Sequence, residues 1–139
     1  LKPRDVKARI QGAMKEHAWV IKDREGLSKG LQEVEEIREI QRVMALTSTF
    51  KVRPRDGYEW ATAIEVPNLL LCAELMLKGS LERKESRGAF FRDDHPETDN
   101  GNWLRNIIYK QVNGEPVLDT VDVDLKFCGP ESRPALHIT

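Results

Sequence analysis

Between Leu27 and Met44 an apolar residue returns every three or four positions: Leu27, Leu31, Val34, Ile37, Ile40 and Met44. That spacing is the period of an α-helix, and it places all six on one side of a helix over about Leu27–Leu46. Glu33, Glu35, Glu36 and Glu39 fall away from the stripe or on its edge, as a solvated face would. The same period recurs upstream in Val6, Ile10, Met14, Ala18 and Ile21, which predicts a helix over about Pro3–Asp23. Pro3 suits a first helical turn, where its missing N–H costs nothing, and Gly26 is the expected stop. Two helices joined by so short a turn form an antiparallel hairpin.

Pro54 and Gly57 break the periodicity and mark Thr47–Gly57 as a linker. Asp56 is the expected N-cap of a third helix, with Glu59 as its capping-box partner. This helix is expected from about Gly57 to Arg87, kinked or broken near Glu65–Pro67, because proline lacks the N–H and crowds the preceding turn. Beyond it Leu70, Leu71, Ala73, Leu75 and Leu77 are apolar almost all round. That pattern demands burial on more than one side, part of it against further domains. Gly88 is the expected terminator, since glycine accepts a positive φ.

Residues 92–102 are polar and turn-rich. Trp103–Val112 and Val117–Leu125 are predicted strands, and Asn113-Gly114 at the centre of their connection signals a type I′ hairpin. Val117, Asp119, Val121, Val123 and Leu125 would share one face of the second strand. The segment from Phe127 is expected to be irregular. The fold class is therefore mainly α: a three-helix bundle-like core followed by an extended tail with a β-hairpin. Residues 1–101 would form the helical domain, and residues 102–139 the hairpin and tail packed on it.

A chain of 139 residues suits one modest core. Its 22 basic and 23 acidic side chains nearly cancel, which argues against nucleic-acid binding through a broad basic face. The apolar run Val66–Leu77 contains Pro67, Asn68 and Glu74 and falls short of the roughly 20 residues a bilayer requires, so no direct membrane insertion is expected. Cys72 and Cys128 are far apart; Cys72 is expected in the core, with no disulfide, in a reducing cytoplasm. His17, His95 and His137 lack ligand spacing, and no metal site is expected. Trp19 and Trp60 are expected to pack, and Phe90 and Phe91 to be one buried and one edge residue. Asp93 and Asp94 are adjacent acids in a loop, and no catalytic role is assigned to them.

The most distinctive stretch is Arg83-Lys84-Glu85-Ser86-Arg87-Gly88-Ala89-Phe90-Phe91-Arg92-Asp93-Asp94-His95-Pro96. On a helix Arg83 and Arg87 would share a face, with Glu85 pointing elsewhere. Their positive charge suits a helix C-terminus. Arg92 stands beside Asp93 and Asp94, and a guanidinium grips a carboxylate in a planar two-bond fork. Such a cluster can fix a turn or dock a second surface.

This stretch resembles the R-K-E-S-R-G-A-H-Y-R-E-D-x-P segment near the C-terminus of succinate dehydrogenase and fumarate reductase flavoprotein subunits. Glu97-Thr98-Asp99-Asn100-Gly101-Asn102-Trp103-Leu104 looks like that family's E-x-D-D-x-N-W-L, and Glu25-Gly26-Leu27 is similar to its E-E-G-L. The chain departs from the pattern at Phe90, where His is usual, at Asn106 and at Trp19. Arg92 and Asn102-Trp103 favour this family over L-aspartate oxidases; adenylylsulfate reductase flavoproteins carry a related pattern.

The resemblance implies an FAD-dependent parent that interconverts fumarate and succinate. It also implies upstream FAD-binding and capping domains in the same chain and a partner iron–sulfur subunit. The parent would be cytoplasmic, or peripheral on the inner face of the membrane through partner subunits. No G-x-G-x-x-G occurs here, and the family's active-site residues belong upstream. The chain, which opens on Leu1, is therefore expected to be a domain excised from a longer protein. By itself it would be inactive and bind no cofactor. Arg83, Glu85, Arg87, Arg92 and Asp94 are the candidates for bracing it against the FAD-bearing domain. The alternatives are a flavoprotein of the same superfamily with another substrate, or a stand-alone helical interaction module.

Overall fold

The computed structural model describes residues 2–47, 57–124 and 126, with the side chains of residues 44–47 outside the description. The expected cap at Asp56, and Cys128, His137 and the tail from Phe127, lie outside the described residues. The chain divides into two compact units, Leu1–Thr98 and Asp99–Thr139.

The first unit is built on three helices: α1 (Pro3–His17), α2 (Arg24–Thr47) and α3 (Gly57–Glu82). Helix α1 stops six residues before the periodicity suggested. Its Ala18 N–H closes on Met14 O at 3.0 Å, and the chain then turns into strand β1 (Ile21–Lys22). Gly26 does not stop a helix. Asp23 caps α2 instead, accepting the Gly26 N–H on Oδ1 at 2.7 Å and the Leu27 N–H on its carbonyl at 3.0 Å, so Gly26 sits in the first turn. Helix α3 runs unbroken through Pro67. A second short strand, β2 (Phe91–Arg92), comes after α3.

Val6 and Ile10 of α1, Leu27, Val34 and Ile37 of α2, and Val66, Leu70, Ala73 and Leu77 of α3 make one buried core. The stripes on α1 and α2 thus meet a single face of α3 at i, i+4, i+7 and i+11. Gly30 is the close-approach point: a Cβ there would lie 2.7 Å from His17 Cβ and 3.1 Å from Leu77 Cδ2. Ion pairs border the seams, with Lys7 to Glu65 at 2.7 Å, Arg4 to Glu59 at 3.3 Å, and Arg38 to Glu74.

Three sequence expectations fail at the surface. Trp19, Trp60 and Cys72 are exposed rather than packed. Each lies off the face that its helix or loop turns to the core, which apolar character alone does not reveal. The membrane-length expectation also changes. Helix α3 as formed is long and apolar enough, by length and composition, to cross a bilayer. The apolar run in the sequence counts only from Val66, whereas the helix begins at Gly57.

The second unit holds a one-turn helix, α4 (Asn100–Trp103), capped by Asp99, whose carboxylate accepts the Asn102 N–H at 3.0 Å. Trp103 therefore belongs to this turn and not to a strand. Strands β3 (Arg105–Val112) and β4 (Glu115–Asp122) pair antiparallel, from Val112 against Glu115 to Arg105 against Asp122. Asn113 and Gly114 have φ of 52° and 89°, the two positive values a type I′ turn requires. The second strand starts two residues earlier than expected because Glu115 pairs directly across the turn.

Candidate functional site

Helix α3 ends at Glu82, five residues short of the expected Arg87. This changes the geometry of the charged motif. In a loop, residues two apart can converge, and Arg83 and Arg87 both reach Glu85. Arg87 Nε donates to Glu85 Oε1 and Arg87 Nη2 to Oε2, each at 2.9 Å, a parallel fork. Arg83 Nη1 donates to Oε1 at 2.5 Å. Glu85 is 0 % exposed, so its charge is met by two guanidinium groups in place of water.

Gly88 does not terminate the helix. It lies in a two-residue turn with a φ of +58°, between Arg87 and Phe90, which exchange backbone bonds of 2.8 and 3.0 Å. Positive φ at the first central residue is what glycine permits at no steric cost. The turn brings the chain back as β2, which pairs parallel with β1, Ile21 against Phe91 and Lys22 against Arg92. The Asp93 N–H continues the pairing to Lys22 O at 2.7 Å. Lys22 Nζ lies 5.1 Å from the centre of the Phe90 ring, and burial pushes its ammonium below the ordinary lysine range. Phe90 is half-buried and Phe91 exposed, so the pair splits into an inner and an outer residue.

Arg92 is 1 % exposed and occupies the end of α3. Its Nη1 faces the carbonyls of Ser80, Leu81 and Arg83 at 2.5, 3.4 and 3.2 Å. These belong to the last turn and its exit, where helical carbonyls lack internal donors. The other edge of the guanidinium forks onto Asp94, Nε to Oδ1 at 2.7 Å and Nη2 to Oδ2 at 2.5 Å. That fork holds the Asp94 carboxyl at about 2, below its ordinary value, because the Arg92 hydrogen bonds favour the charged form.

Ser86 completes the loop, and the residue-type reading overlooked it. Its Oγ accepts the Arg92 N–H at 2.9 Å and donates to His95 O at 2.8 Å. Its N–H donates to Glu97 O at 3.0 Å, and its carbonyl accepts from Thr98 Oγ1 at 2.7 Å. The signal was present: Ser86 is the serine of the E-S-R-G core, but a lone serine has no spacing to read. A groove of about 340 Å³ lies beside this network, lined by Arg24, Ser28, Lys78, Glu82, Lys84 and His95 among others.

All five sequence-selected residues therefore belong to one loop, and they form two separate ion-pair groups: Arg83–Glu85–Arg87 and Arg92–Asp94. Among the described residues no group of three or more His, Cys, Asp or Glu is placed to hold a metal ion. The described residues also do not fit a flavin dinucleotide. Such a site needs a glycine turn leading from a strand into a helix, and the positive-φ glycines here, Gly88 and Gly114, each join two extended segments.

Residues 7–135 match the family model described as "Fumarate reductase flavoprotein C-term". The chain belongs to this family. It is 31% identical over 122 residues to the succinate dehydrogenase flavoprotein subunit of Rickettsia felis, covering 87% of this chain and 20% of that protein. The fold is similar to that of E. coli quinol fumarate reductase, with a TM-score of 0.81 at 22% identity over 94% of this chain and 22% of that one. A subunit of the Mycobacterium smegmatis Sdh1 complex superposes with a TM-score of 0.71 at 28% identity, over 88% of this chain and 20% of that one. The chain thus spans about a fifth of the length of the relatives it matches. The mainly α fold with its β-hairpin stands as the periodicity and the turn signal implied, and the relation to FAD-dependent oxidoreductases as the motif implied.

Proposed function

We propose that this chain is the non-catalytic C-terminal domain of an FAD-dependent flavoprotein that interconverts fumarate and succinate. The observation that carries the reading is the family match over residues 7–135, with the Arg83–Asp94 loop inside it. In such a parent, FAD supplies hydride transfer from upstream domains, and an iron–sulfur subunit takes or delivers the electrons. The parent works in the cytoplasm or on the inner face of the membrane, held there through partner subunits. Residues 1–101 act as the helical domain and residues 102–139 as the hairpin and tail.

The loop acts as a brace. Glu85 and Arg92 are committed inside the unit, so they hold the outer groups in place. Arg87, with 35 % of its side chain exposed, is the member turned outward and the one set to meet the FAD-bearing domain. Replacing Arg87 by Ala in the full-length parent should loosen flavin retention; a variant that holds its flavin as tightly as the wild type would remove the bracing role.

The test of the main reading is a visible spectrum of the full-length parent, then oxidation of reduced viologen on adding fumarate. A flavin band with fumarate-dependent oxidation is the expected result. A flavin band without turnover would move the substrate elsewhere in the superfamily, toward the L-aspartate oxidase or adenylylsulfate reductase alternatives. A folded parent that takes up no flavin would reject the reading.

A further inference from the structure

The groove beside the motif is lined by cations that the fold does not use. Arg24 opens α2 and Ser28 follows one turn on, so both face the groove from that helix. Lys78 comes from the end of α3, and Lys84 and His95 from the loop that follows it. Two of the lining cations are engaged. Lys78 is paired with Glu74, and Arg92 is committed to Asp94 and the helix carbonyls. Arg24 and Lys84 differ: among the described residues neither charged group meets a carboxylate or another acceptor. His95 Nε2 stands 3.7 Å from Asp94 Oδ2, too far for a hydrogen bond. Glu82 is the opposing charge on the lining, and it is exposed. Two uncommitted cations against one solvated carboxylate leave the groove positive.

We propose that this groove binds a soluble phosphate monoester, with the phosphate held between Arg24 and Lys84. The donors decide for phosphate over a carboxylate. A carboxylate is planar and is satisfied by one guanidinium fork, whereas the terminal oxygens of a phosphate point in three directions. Here Arg24 comes from α2, and Lys84 and His95 from the loop, so the donors surround an anion and do not meet it along one edge. A phosphate monoester carries roughly two negative charges at pH 7, which matches the two uncommitted cations. The space continues past Ser28, Lys78 and Leu81 into a second hollow of about 480 Å³ between α2 and α3, walled by Leu31 and Leu81. Its acids, Glu35 and Glu74, are both paired with Arg38, so that part offers no free cation to a second phosphate. An uncharged organic body fits there, with the single phosphate at the basic end. The inference stands on this chain's own residues and does not depend on the flavoprotein reading.

The experiment is a titration of this 139-residue chain with phenyl phosphate, inorganic phosphate and succinate at fixed ionic strength, read by NMR of the ligands. We expect saturable binding, tightest for phenyl phosphate, weaker for inorganic phosphate and weakest for succinate. Arg24→Gln and Lys84→Gln should each weaken phenyl phosphate binding by about tenfold or more, the size of one charge-assisted hydrogen bond lost. Both side chains are exposed and hold no partner among the described residues, so these variants keep the fold. Glu82→Gln should tighten binding. Lys29→Gln, on the same helix but paired with Glu25 and outside the groove, should leave it unchanged. Absence of saturable binding would overturn the proposal. Equal weakening by Lys29→Gln and Lys84→Gln would reveal a response to net charge and overturn it too. Succinate binding as tightly as phenyl phosphate would reject phosphate recognition, and inorganic phosphate binding as tightly would reject the ester. Binding seen only with phosphatidic acid vesicles would assign the groove to a lipid headgroup and overturn the soluble ligand.

Discussion

Arg92 and Asp94 are locked in a two-bond fork, at 2.7 and 2.5 Å, with the remaining guanidinium nitrogen turned to the last carbonyls of α3. One side chain therefore ends the helix, neutralises a carboxylate and anchors the strand that pairs with β1. The resulting loop ties the exit of α3 to the turn between α1 and α2, the two points where the bundle would otherwise fray. The charges of the motif are spent on holding a shape.

Arg92→Lys should be strongly destabilising although it keeps the charge. An ammonium cannot grip Asp94 with two parallel bonds and still reach the carbonyls of Ser80 and Arg83. The loss should be about 3 kcal/mol, as when a buried charge pair loses its geometry. Thermal melts of this 139-residue chain, wild type against variant, would measure it. A loss of that size should shift the melting temperature by several degrees, and a shift within about 1–2 °C would show that the cap is dispensable.

The Asp94 carboxyl titrates at about 2 in the folded protein, below the ordinary value of 3.8, because of its Arg92 partner. A depressed carboxyl contributes stability that is full above its unfolded value and is lost as pH falls through the folded one. The wild type should therefore weaken between about pH 4 and pH 2. Asp94→Asn should lower stability near neutrality and flatten the curve in that window. Urea midpoints at about pH 6, 4 and 2.5 would check this, and parallel curves for the two proteins would exclude the Asp94 contribution.

How legible this was in the sequence differs by element. The α2 stripe and the Asn113-Gly114 turn were readable because each imposes a local constraint: a helical period in one, two positive φ values in the other. The ends of α1 and α3 were not. Apolar residues at Ala18 and Ile21, and helix-favouring ones through Arg87, kept the period going after tertiary bonds had stopped the helix. Strands β1 and β2 are two residues each and pair Ile21 with Phe91, so no short window of sequence contains them both. The site was half legible. Arg83, Glu85, Arg87, Arg92 and Asp94 stood out by charge and motif, and the Arg92–Asp94 fork agrees with guanidinium chemistry. A helical reading of the motif sent Glu85 away from Arg87, and Ser86 gave no signal beyond the motif itself.

Two glycines in helices should respond in opposite directions. Gly12 of α1 is exposed and has nothing within 4 Å of where a Cβ would go, so Gly12→Ala should stabilise by about 0.5–1 kcal/mol through helix propensity. Gly30 gains the same propensity, but its Cβ would meet His17 Cβ at 2.7 Å and Leu77 Cδ2 at 3.1 Å. Overpacking of this kind costs about 1–3 kcal/mol, which exceeds the gain. Denaturation midpoints of the two variants should therefore move apart, and a stabilised Gly30→Ala protein would mean that α1 and α2 shift without strain.

Glu85→Gln tests whether the inner ion-pair group depends on charge or on shape. Glutamine fills the same space and can still accept from one arginine, but its amide cannot receive the second arm of the Arg87 fork. Both guanidinium groups would then lose the negative charge that Glu85 supplies. Removing one partner of a buried pair costs about 3–5 kcal/mol, and the partial exposure of Arg83 and Arg87 should bring this one to the lower end. Arg87→Gln alone should cost less, because Arg83 still serves Glu85. Combining the two changes should cost clearly less than their sum, since the second removes a side chain whose Glu85 fork the first has already broken. A double-mutant cycle read by chemical denaturation would show this as a coupling; strict additivity would mean that Glu85 is held by packing and that its two arginines contribute independently of it.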